Sequence, residues 1–395
     1  MALYALATFG AHVSYAPLLS LLLPRRIVAI APDHAAATTS LVMLVGAITA
    51  SLAHILAGRI SDGWRRRYGN RRAPIALGLG FTVAALVGLG LARQVGMVIT
   101  GLVAFQCALN LMFAPLGALL VDHFADGAKG RVAALANLAM PLASLGTGAA
   151  ALAFPRDGAG PFVAVAVAVG LSAVPLVVFW PFARAVPVAA PAHGGLLRGT
   201  PWQADLVRAG LARLLVQAGA AFMMTYFYLF LVRHPARAGL VPGQSVDTLY
   251  GRLVVMTTLV VLVVTVLAGR WSDRHGHRRG PMIVGALAAA VALMMLQGGD
   301  GWALLVGYGL FQVALIAYLA LDSALVAQLL GDHARSGEML GYMNLANTLP
   351  SILVPLIVLA LSGGAADALW GPGFAAAAAC CVLAAVLVAR IRAVA

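Results

Sequence analysis

The sequence predicts an all-α membrane protein in which about twelve transmembrane helices form two related six-helix bundles. Of the 395 residues, 62% are hydrophobic and only 10% are charged, which is more apolar surface than a soluble core of this length can bury. The apolar residues form long runs such as Leu253–Ala268, and runs of about 20 residues span a bilayer as helices. A loop motif of the first half recurs in the second half. These unbroken runs exclude a β-barrel, because the strands of a membrane barrel alternate apolar and polar residues.

The individual spans are delimited by charge clusters and by Gly/Pro turns. The first bundle, residues 1–183, contains the spans 2–23, 37–57, 73–92, 97–122, 132–153 and 161–183. The second bundle, residues 206–395, contains the spans 206–232, 248–268, 281–297, 302–329, 338–361 and 373–391. The polar, proline-containing stretch 184–205 is predicted to be a cytoplasmic linker between the bundles.

The basic residues predict the orientation of the chain. The formal charge is +13, but the arginines lie in short clusters between apolar runs rather than on one face of a soluble domain, which argues against nucleic acid as a partner. One set of alternate loops carries about three times as many basic residues as the other. We therefore expect that set, and both termini, to be cytoplasmic in a multi-pass protein of the inner membrane. The first apolar run begins at Ala2 without a basic region or a cleavage site, so no cleavable signal peptide is expected.

The two halves repeat a loop sequence. Gly58-Arg-Ile-Ser-Asp62 recurs as Gly269-Arg-Trp-Ser-Asp273, and Tyr68-Gly-Asn-Arg-Arg72 recurs as His275-Gly-His-Arg-Arg279. A duplication of six helices predicts two bundles that face each other across a site near the membrane midplane.

These loops resemble the signature of the major facilitator superfamily, a glycine-x-x-x-aspartate followed by a basic cluster. More narrowly, segments 58–74, 110–122, 212–219 and 340–350 resemble the branch of glycoside–cation symporters and plant-type sucrose carriers. The resemblance implies the major facilitator fold, and a latch that holds the cytoplasmic side closed. Gly117 departs from the pattern, since related carriers often have arginine there. The latch residues are predicted to be Gly58, Asp62, Arg66, Gly69, Arg71, Arg72, Gly269, Asp273, Arg274 and Arg278. The alternative is that these arginines only anchor the loops to lipid phosphate.

Ionisable side chains inside apolar runs are costly, and they are therefore candidates for proton coupling. Asp322 lies about two turns inside the tenth span, where a carboxyl group can take up and release a proton; the alternative is a structural carboxylate paired with an arginine. Asp122 is either a second proton site or a gate residue paired with Arg131 or the basic loop after Asp62. His12, in the first span, titrates in the right range, although a lone histidine is more often packed and hydrogen-bonded.

The solute-binding candidates are polar and aromatic side chains within spans. Arg213 and Gln217 are four residues apart and share one face of the seventh span; Arg213 either faces a cavity or snorkels to the surface. Amides and phenols that face a cavity suit sugars, and the alternative is hydrogen bonding between helices. The remaining candidates of this kind are Asn110, Gln312, Asn344, Tyr226, Tyr318 and Tyr15.

The leading functional hypothesis is a secondary transporter that works by alternating access, coupled to protons or to Na⁺, and imports a sugar or glycoside. The alternative is an exporter of hydrophobic compounds, favoured by Phe222, Met223, Met224 and Phe227 in the seventh span; a non-transporting scaffold is a third. No phosphate-binding loop Gly-x-x-x-x-Gly-Lys-[Ser/Thr] occurs, and no nucleophile–base set or metal spacing suggests an enzyme. We expect no bound cofactor or metal, and as partners only a small-molecule solute and the lipid bilayer, with the chain as a monomer.

Overall fold

The fold is known from a computed structural model of the whole chain. It describes residues 1–124, 128, 132, 135–136, 138–154, 158–181, 201–237, 239–240, 244–275, 278–298, 300–330, 336–362 and 370–392. Within these ranges, side chains are not described at residues 121, 201–203, 265–266, 268–275, 324, 327–328, 330, 336–344 and 362. The predicted linker therefore lies outside the described residues except for 201–205, which are already helical.

The N-terminal half forms six helices. They are α1 (Ala2–Ile30), α2 (Ala35–Tyr68), α3 (Arg72–Gly90), α4 (Val95–His123), α5 (Ala139–Ala153) and α6 (Gly160–Phe179). A π-helical turn, Leu18–Leu22, interrupts α1 directly after Pro17, as expected where proline removes a backbone donor and disturbs the ladder of hydrogen bonds.

The C-terminal half forms six further helices. They are α7 (Pro201–Arg233), α8 (Val246–His275), α9 (Arg279–Gly298), α10 (Trp302–Leu330), α11 (Ser336–Ser362) and α12 (Trp370–Ala389). Ten helices are long and apolar enough to cross a membrane, and two shorter apolar helices, Ala139–Ala153 and Leu345–Leu361, complete the set of twelve within the described residues. The predicted all-α class with about twelve membrane helices is confirmed, and the chain is a multi-pass membrane protein.

Apolar side chains also cover the outside of the helices, as a lipid environment requires. Leu171 and Phe179 on α6 are each 72% exposed, and Met256 on α8 is 65% exposed. Such large exposed side chains would be costly in water but suit contact with acyl chains.

Two compact units divide the chain. The first unit comprises Met1–Ala190 together with Asp247–Val255, which are the first turns of α8; the second comprises Pro191–Val246 and Met256–Ala395. Within the first unit α1 packs against α4, α5 and α6, and α3 packs against α4 and α6. Within the second unit α7 packs against α10, α11 and α12, and α9 packs against α10 and α12. The same pairs among five helices thus recur in both units, which agrees with the sequence repeat.

The first helix is longer than the predicted span 2–23, because two arginines at its end are not in a loop. Arg25 and Arg26 are helical, and only 4% and 8% of their surface is exposed. Arg26 donates to the carbonyl oxygens of Gly90 (2.9 Å) and Ala92 (3.1 Å), at the C-terminal end of α3. A cation is stabilised there by the helix dipole and by the free carbonyls.

The second unit contains a counterpart of this capping contact. Arg237, in the connection that follows α7, donates to the carbonyl oxygen of Gln297 (2.7 Å) at the C-terminal end of α9. Its other partner is the Asp300 carboxylate, 2.8 Å from Arg237 Nε. In each unit, therefore, an arginine in the last turns of the first helix or just after it closes the C-terminal end of the third helix.

Candidate functional site

A buried ion pair joins α7 and α10 inside the second unit. The Arg213 guanidinium donates a hydrogen bond from Nε to one carboxylate oxygen of Asp322, Oδ2, and Nη2 lies within ion-pair distance of the same oxygen. Asp322 is 0% exposed and the Arg213 side chain 10%. Removing either partner alone would leave a buried charge uncompensated, which costs about 3–5 kcal/mol.

The other oxygen of this carboxylate lies in surroundings poor in polar atoms. Among the described residues, neither Asp322 Oδ1 nor the Tyr318 hydroxyl has a hydrogen-bond partner. Tyr318 precedes Asp322 by four residues and therefore shares its face of α10, and it is 0% exposed. Cys381 of α12 is buried as well. The helix α9 brings no ionisable side chain to this core, since its single charged residue, Arg279, is its first residue.

A polar strip continues from the ion pair along α7. Gln217, one turn after Arg213, donates from Nε2 to the Asn347 amide oxygen of α11 at 3.3 Å, and this hydrogen bond is exposed. Gln312 is half-buried on α10, two to three turns before Asp322. The side chain of Asn344, another predicted ligand, lies outside the described residues.

The first unit holds a neutral polar cluster on α2 and α4. His54 Nδ1 is hydrogen-bonded to the Asn110 amide oxygen at 3.0 Å, and Asn110 Nδ2 donates to the carbonyl oxygen of Gln106 at 2.8 Å. Asn110 is 7% exposed, whereas His54 is exposed. The cluster therefore presents an imidazole held by an amide, near the middle of both helices.

The α1 candidates are held by local contacts. His12 Nδ1 lies 2.8 Å from the carbonyl oxygen of Thr8, and the imidazole packs against the rings of Tyr15 and Phe113. The Tyr15 hydroxyl donates to the Met140 sulfur at 3.3 Å. These contacts match the packed alternative for His12.

Tyr226 lies inside an aromatic cluster of the second unit, not on an open surface. It is 1% exposed, and its ring contacts those of Phe222 and Trp370. Sequence reasoning expected it at a cavity because phenols suit sugars, but α7 turns this side chain towards α12. The exporter candidates Phe222, Met223 and Phe227 are likewise buried, at 6%, 5% and 2% exposure.

An ion-pair network connects α2, α3 and α4 at the sequence motif. Arg71, 6% exposed, donates from Nε to Asp122 Oδ2 (2.8 Å) and from Nη1 to the Ser61 hydroxyl (2.7 Å). Its Nη1 also forms an ion pair with Asp62 Oδ1, at 2.7 Å. Arg65 Nη1 donates to the other oxygen of Asp122 at 2.8 Å. Asp122 is thus paired with the basic loop after Asp62, which is one of the two pairings considered for a gate residue; its role as gate or proton site stays a prediction. Arg131 lies outside the described residues.

In the first copy of the motif, Gly69 has a structural role at the end of α2, whereas Gly58, Arg66 and Arg72 lie in open surroundings. Gly69 ends α2 in a left-handed conformation (φ +74°), which costs other residues energy. Asn70 then accepts from the backbone N–H of Arg72 at 3.0 Å and so begins α3. Gly58 has open space where a Cβ would lie, and Arg66 and Arg72 are exposed.

The second motif copy is described only in part. Residues Gly269, Asp273 and Arg274 are helical in α8, but their side chains lie outside the described residues. Arg278 is half-buried just before α9.

Sequence reasoning missed one ion pair in the first unit. Arg25 Nη2 lies 2.9 Å from Asp247 Oδ1, and Arg25 Nη1 donates to the carbonyl oxygen of Phe154 at 2.7 Å. Nearby, α5 and α8 approach so closely that a Cβ on Gly251 would lie 3.0 Å from the Ala151 Cβ. The only sequence signal was an acid in the first turn of α8, where the helix dipole favours one.

The C-terminal part of the chain, residues 238–394, matches the model of the Major Facilitator Superfamily. No curated protein gives a match. The solved structures it resembles include a bacterial homolog of the human lysosomal transporter Spinster, inward-facing and unoccupied. That likeness has 14% identity and a TM-score of 0.69, and it covers 98% of this chain and 95% of the other.

Two peptide-transporter structures are also similar. One is a peptide transporter POT in complex with sulfate, with 11% identity, a TM-score of 0.74, and coverage of 98% of this chain and 93% of the other. The second is a POT family transporter in complex with 5-aminolevulinic acid, with the same identity and TM-score, and coverage of 98% and 94%. The major facilitator fold is thereby confirmed. The matched family and structures are transporters, which bears out the prediction that the chain is not an enzyme. The narrower resemblance to glycoside and sucrose carriers stays a prediction.

Proposed function

We propose that the chain is a proton-coupled secondary transporter that imports a small hydroxyl-rich solute, such as a sugar or glycoside, by alternating access. In this proposal it acts as a monomer in the inner membrane with both termini in the cytoplasm. The observation that carries the proposal is the Arg213–Asp322 pair, a fully buried carboxylate inside a membrane-spanning helix. The transporter fold and the family match of the C-terminal part support it.

Asp322 supports proton coupling because its protonation removes the counterion of the buried Arg213 guanidinium. While Asp322 is ionised, the pair is neutral and both groups are compensated. Once Asp322 is protonated, the Arg213 guanidinium loses its counterion in a region of low dielectric constant, which is unfavourable. Because Asp322 is 0% exposed, proton exchange requires a change of conformation, as alternating access does.

The coupling ion is taken to be the proton rather than Na⁺. A Na⁺ site needs several oxygen ligands around the ion, as hard cations do. The described side chains next to Asp322 offer one further oxygen without a partner, the Tyr318 hydroxyl. That is too few for a cation but is compatible with a single proton.

The polar clusters support a hydroxyl-rich solute over an apolar one. Gln217, Asn347 and the exposed His54 with Asn110 present amides and an imidazole, which hydrogen-bond to hydroxyl groups. Of the four apolar side chains that favoured an exporter of hydrophobic compounds, Phe222, Met223 and Phe227 are packed in the interior of the second unit, and Met224 is half-buried. We therefore rank the exporter below the importer.

The test compares two kinds of flux in proteoliposomes, with a panel of labelled sugars, glycosides, organic acids and drugs. Solute counterflow needs no net proton movement, whereas accumulation driven by a pH gradient does. We expect Asp322→Asn to retain counterflow and to lose gradient-driven accumulation. The matched control is Asp33→Asn, an exposed acid in the turn before α2, which should keep both fluxes.

A second variant guards against a folding defect, since Asp322→Asn leaves Arg213 without its counterion. Asp322→Asn/Arg213→Gln removes both charges and should restore stability while remaining uncoupled. Gradient-driven accumulation by Asp322→Asn at the rate of the unmodified protein would overturn the proposal.

A further inference from the structure

We propose that the transported solute carries a carboxylate, and that this group binds the Arg213 guanidinium in exchange for Asp322. Arg213 is then the residue that decides the charge of the solute. The inference rests on the proton-coupled function proposed above, and it narrows the solute to a small organic acid, for example a hydroxylated one.

Access to the ion pair is from the side of the arginine. The Asp322 side chain is 0% exposed, whereas the Arg213 side chain is 10% exposed. One turn further along α7, the hydrogen bond between Gln217 and Asn347 is exposed. Amides at the surface of a membrane bundle face water rather than lipid. A solute that arrives at these amides therefore contacts the guanidinium before the carboxylate.

Arg213 offers the geometry that a carboxylate needs. Nε and Nη2 of Arg213 both face a single oxygen of Asp322, with a hydrogen bond from Nε, and Oδ1 has no described partner. Guanidinium groups bind carboxylates through two parallel hydrogen bonds, which are stronger than those to neutral acceptors. A solute carboxylate can thus take over the position of Asp322 and use both of its oxygens.

Charge balance makes the exchange favourable. If a proton binds to Asp322, the buried Arg213 needs another anion. A carboxylate solute supplies it, so proton and solute each promote the binding of the other. A neutral sugar supplies only dipoles to Arg213. Among the described side chains, those beside the pair on α10 and α12 are the neutral Tyr318 and Cys381. The described part of α11 brings the neutral Asn347 to Gln217, and α9 contributes no ionisable group.

The site accommodates one negative charge. The preceding arginine of α7, Arg208, is held by the Asp205 carboxylate and by the carbonyl oxygen of Arg390. Among the described residues around Asp322, Arg213 is thus the cation left for a ligand. We therefore expect a monoanion rather than a phosphate ester or a dicarboxylate.

The experiment measures the binding of matched anionic and neutral compounds to the detergent-solubilised full chain. The pairs are glucuronate and glucose, lactate and propane-1,2-diol, and acetate and acetamide, with binding followed as ligand-induced thermal stabilisation. In Asp322→Asn, where Arg213 has lost its counterion, we expect the carboxylate of at least one pair to bind about tenfold more tightly than its neutral partner. That preference should not change between pH 6 and pH 8. In the unmodified protein, the same preference should weaken as the pH rises.

The preference for the carboxylate over its neutral partner should be lost in Arg213→Gln. It should also be lost in Asp322→Asn/Arg213→Gln, which serves as the folding control. Arg208→Gln should retain the preference. If no carboxylate, acetate included, binds Asp322→Asn more tightly than its neutral partner, the inference is wrong. The outcome that would refute this inference differs from the outcome that would refute the proposed function. Proton-driven accumulation of neutral solutes alone would refute the charge preference and leave proton coupling intact. Gradient-driven accumulation by Asp322→Asn would instead refute proton coupling.

Discussion

Replacing Arg71 by glutamine tests the network that joins α2, α3 and α4. The change removes two hydrogen bonds, to Asp122 and Ser61, and an ion pair with Asp62, all made by a side chain that is 6% exposed. The bond to Asp62 contributes little, because that carboxylate is 55% exposed and well solvated. The bond to Asp122 dominates, since both side chains are buried. Loss of one partner of a buried pair costs about 3–5 kcal/mol, and we take the lower value because Arg65 still binds Asp122.

A loss of about 3 kcal/mol corresponds to roughly a hundredfold change in an equilibrium constant. For a unit of this size, it lowers the melting temperature by about 6–12 °C. The assay is thermal unfolding in detergent, followed by intrinsic fluorescence, of Arg71→Gln against Arg72→Gln. Arg72 is the matched control because it is adjacent in sequence but exposed.

The same variants test the latch hypothesis in proteoliposomes. If the network holds one side of the carrier closed, Arg71→Gln should also change the rate of counterflow, whereas Arg72→Gln should not. Equal melting temperatures for the two variants would refute the energetic argument. Equal counterflow rates with unequal melting temperatures would leave the network as a structural element only.

Two further predictions concern close contacts in the first unit. Gly78→Ala places a Cβ against the backbone nitrogen of Met112, closer than van der Waals contact allows, and should lower the melting temperature through a loss of about 2 kcal/mol. Gly80→Ala, with open space around it, should not, and equal melting temperatures would contradict the prediction. For Arg25→Gln, Asp247→Asn and the double variant, a thermodynamic cycle should give a coupling of about 1–3 kcal/mol for the ion pair. Strictly additive losses would show that the two charges act independently.

The helices were predictable because their signal is long and local. Runs of apolar residues fix the existence of a membrane helix, whatever its neighbours are. Their ends were less predictable, since a charge was taken as the end of a span. Arg25 and Arg26 lie within α1 because each binds carbonyl oxygens at the end of another helix. Those carbonyls come from α5 and α3, so no local pattern around residue 25 reveals them.

The candidate site was predictable where chemistry alone selects a residue. Asp322 and Arg213 are ionisable groups in apolar spans, and the structure pairs them. Tyr226 was not distinguishable from Tyr318 by residue type or by depth. Which of them lies beside Asp322 depends on the rotation of α7 and α10, and that rotation follows from packing against α12 and α9. The partner of Asp122 was likewise one of two open alternatives until Arg71 was placed beside it.

The internal repeat separates the residues that build the fold from those that are candidates for transport. Arg26 and Arg237 perform the same capping task in the two units, as a shared scaffold requires. The ion pair of Asp322 has no such counterpart. By the offset that relates Ala118-Leu119 to Ala324-Leu325, the residue equivalent to Asp322 is Leu116, and the residue equivalent to Asp122 is Gln328. A buried charge present in only one unit is not needed to form the six-helix arrangement, since the other unit forms it without that charge. Its cost must therefore be offset by another role, and for Asp322 that role is proposed to be the exchange of a proton and a carboxylate at Arg213.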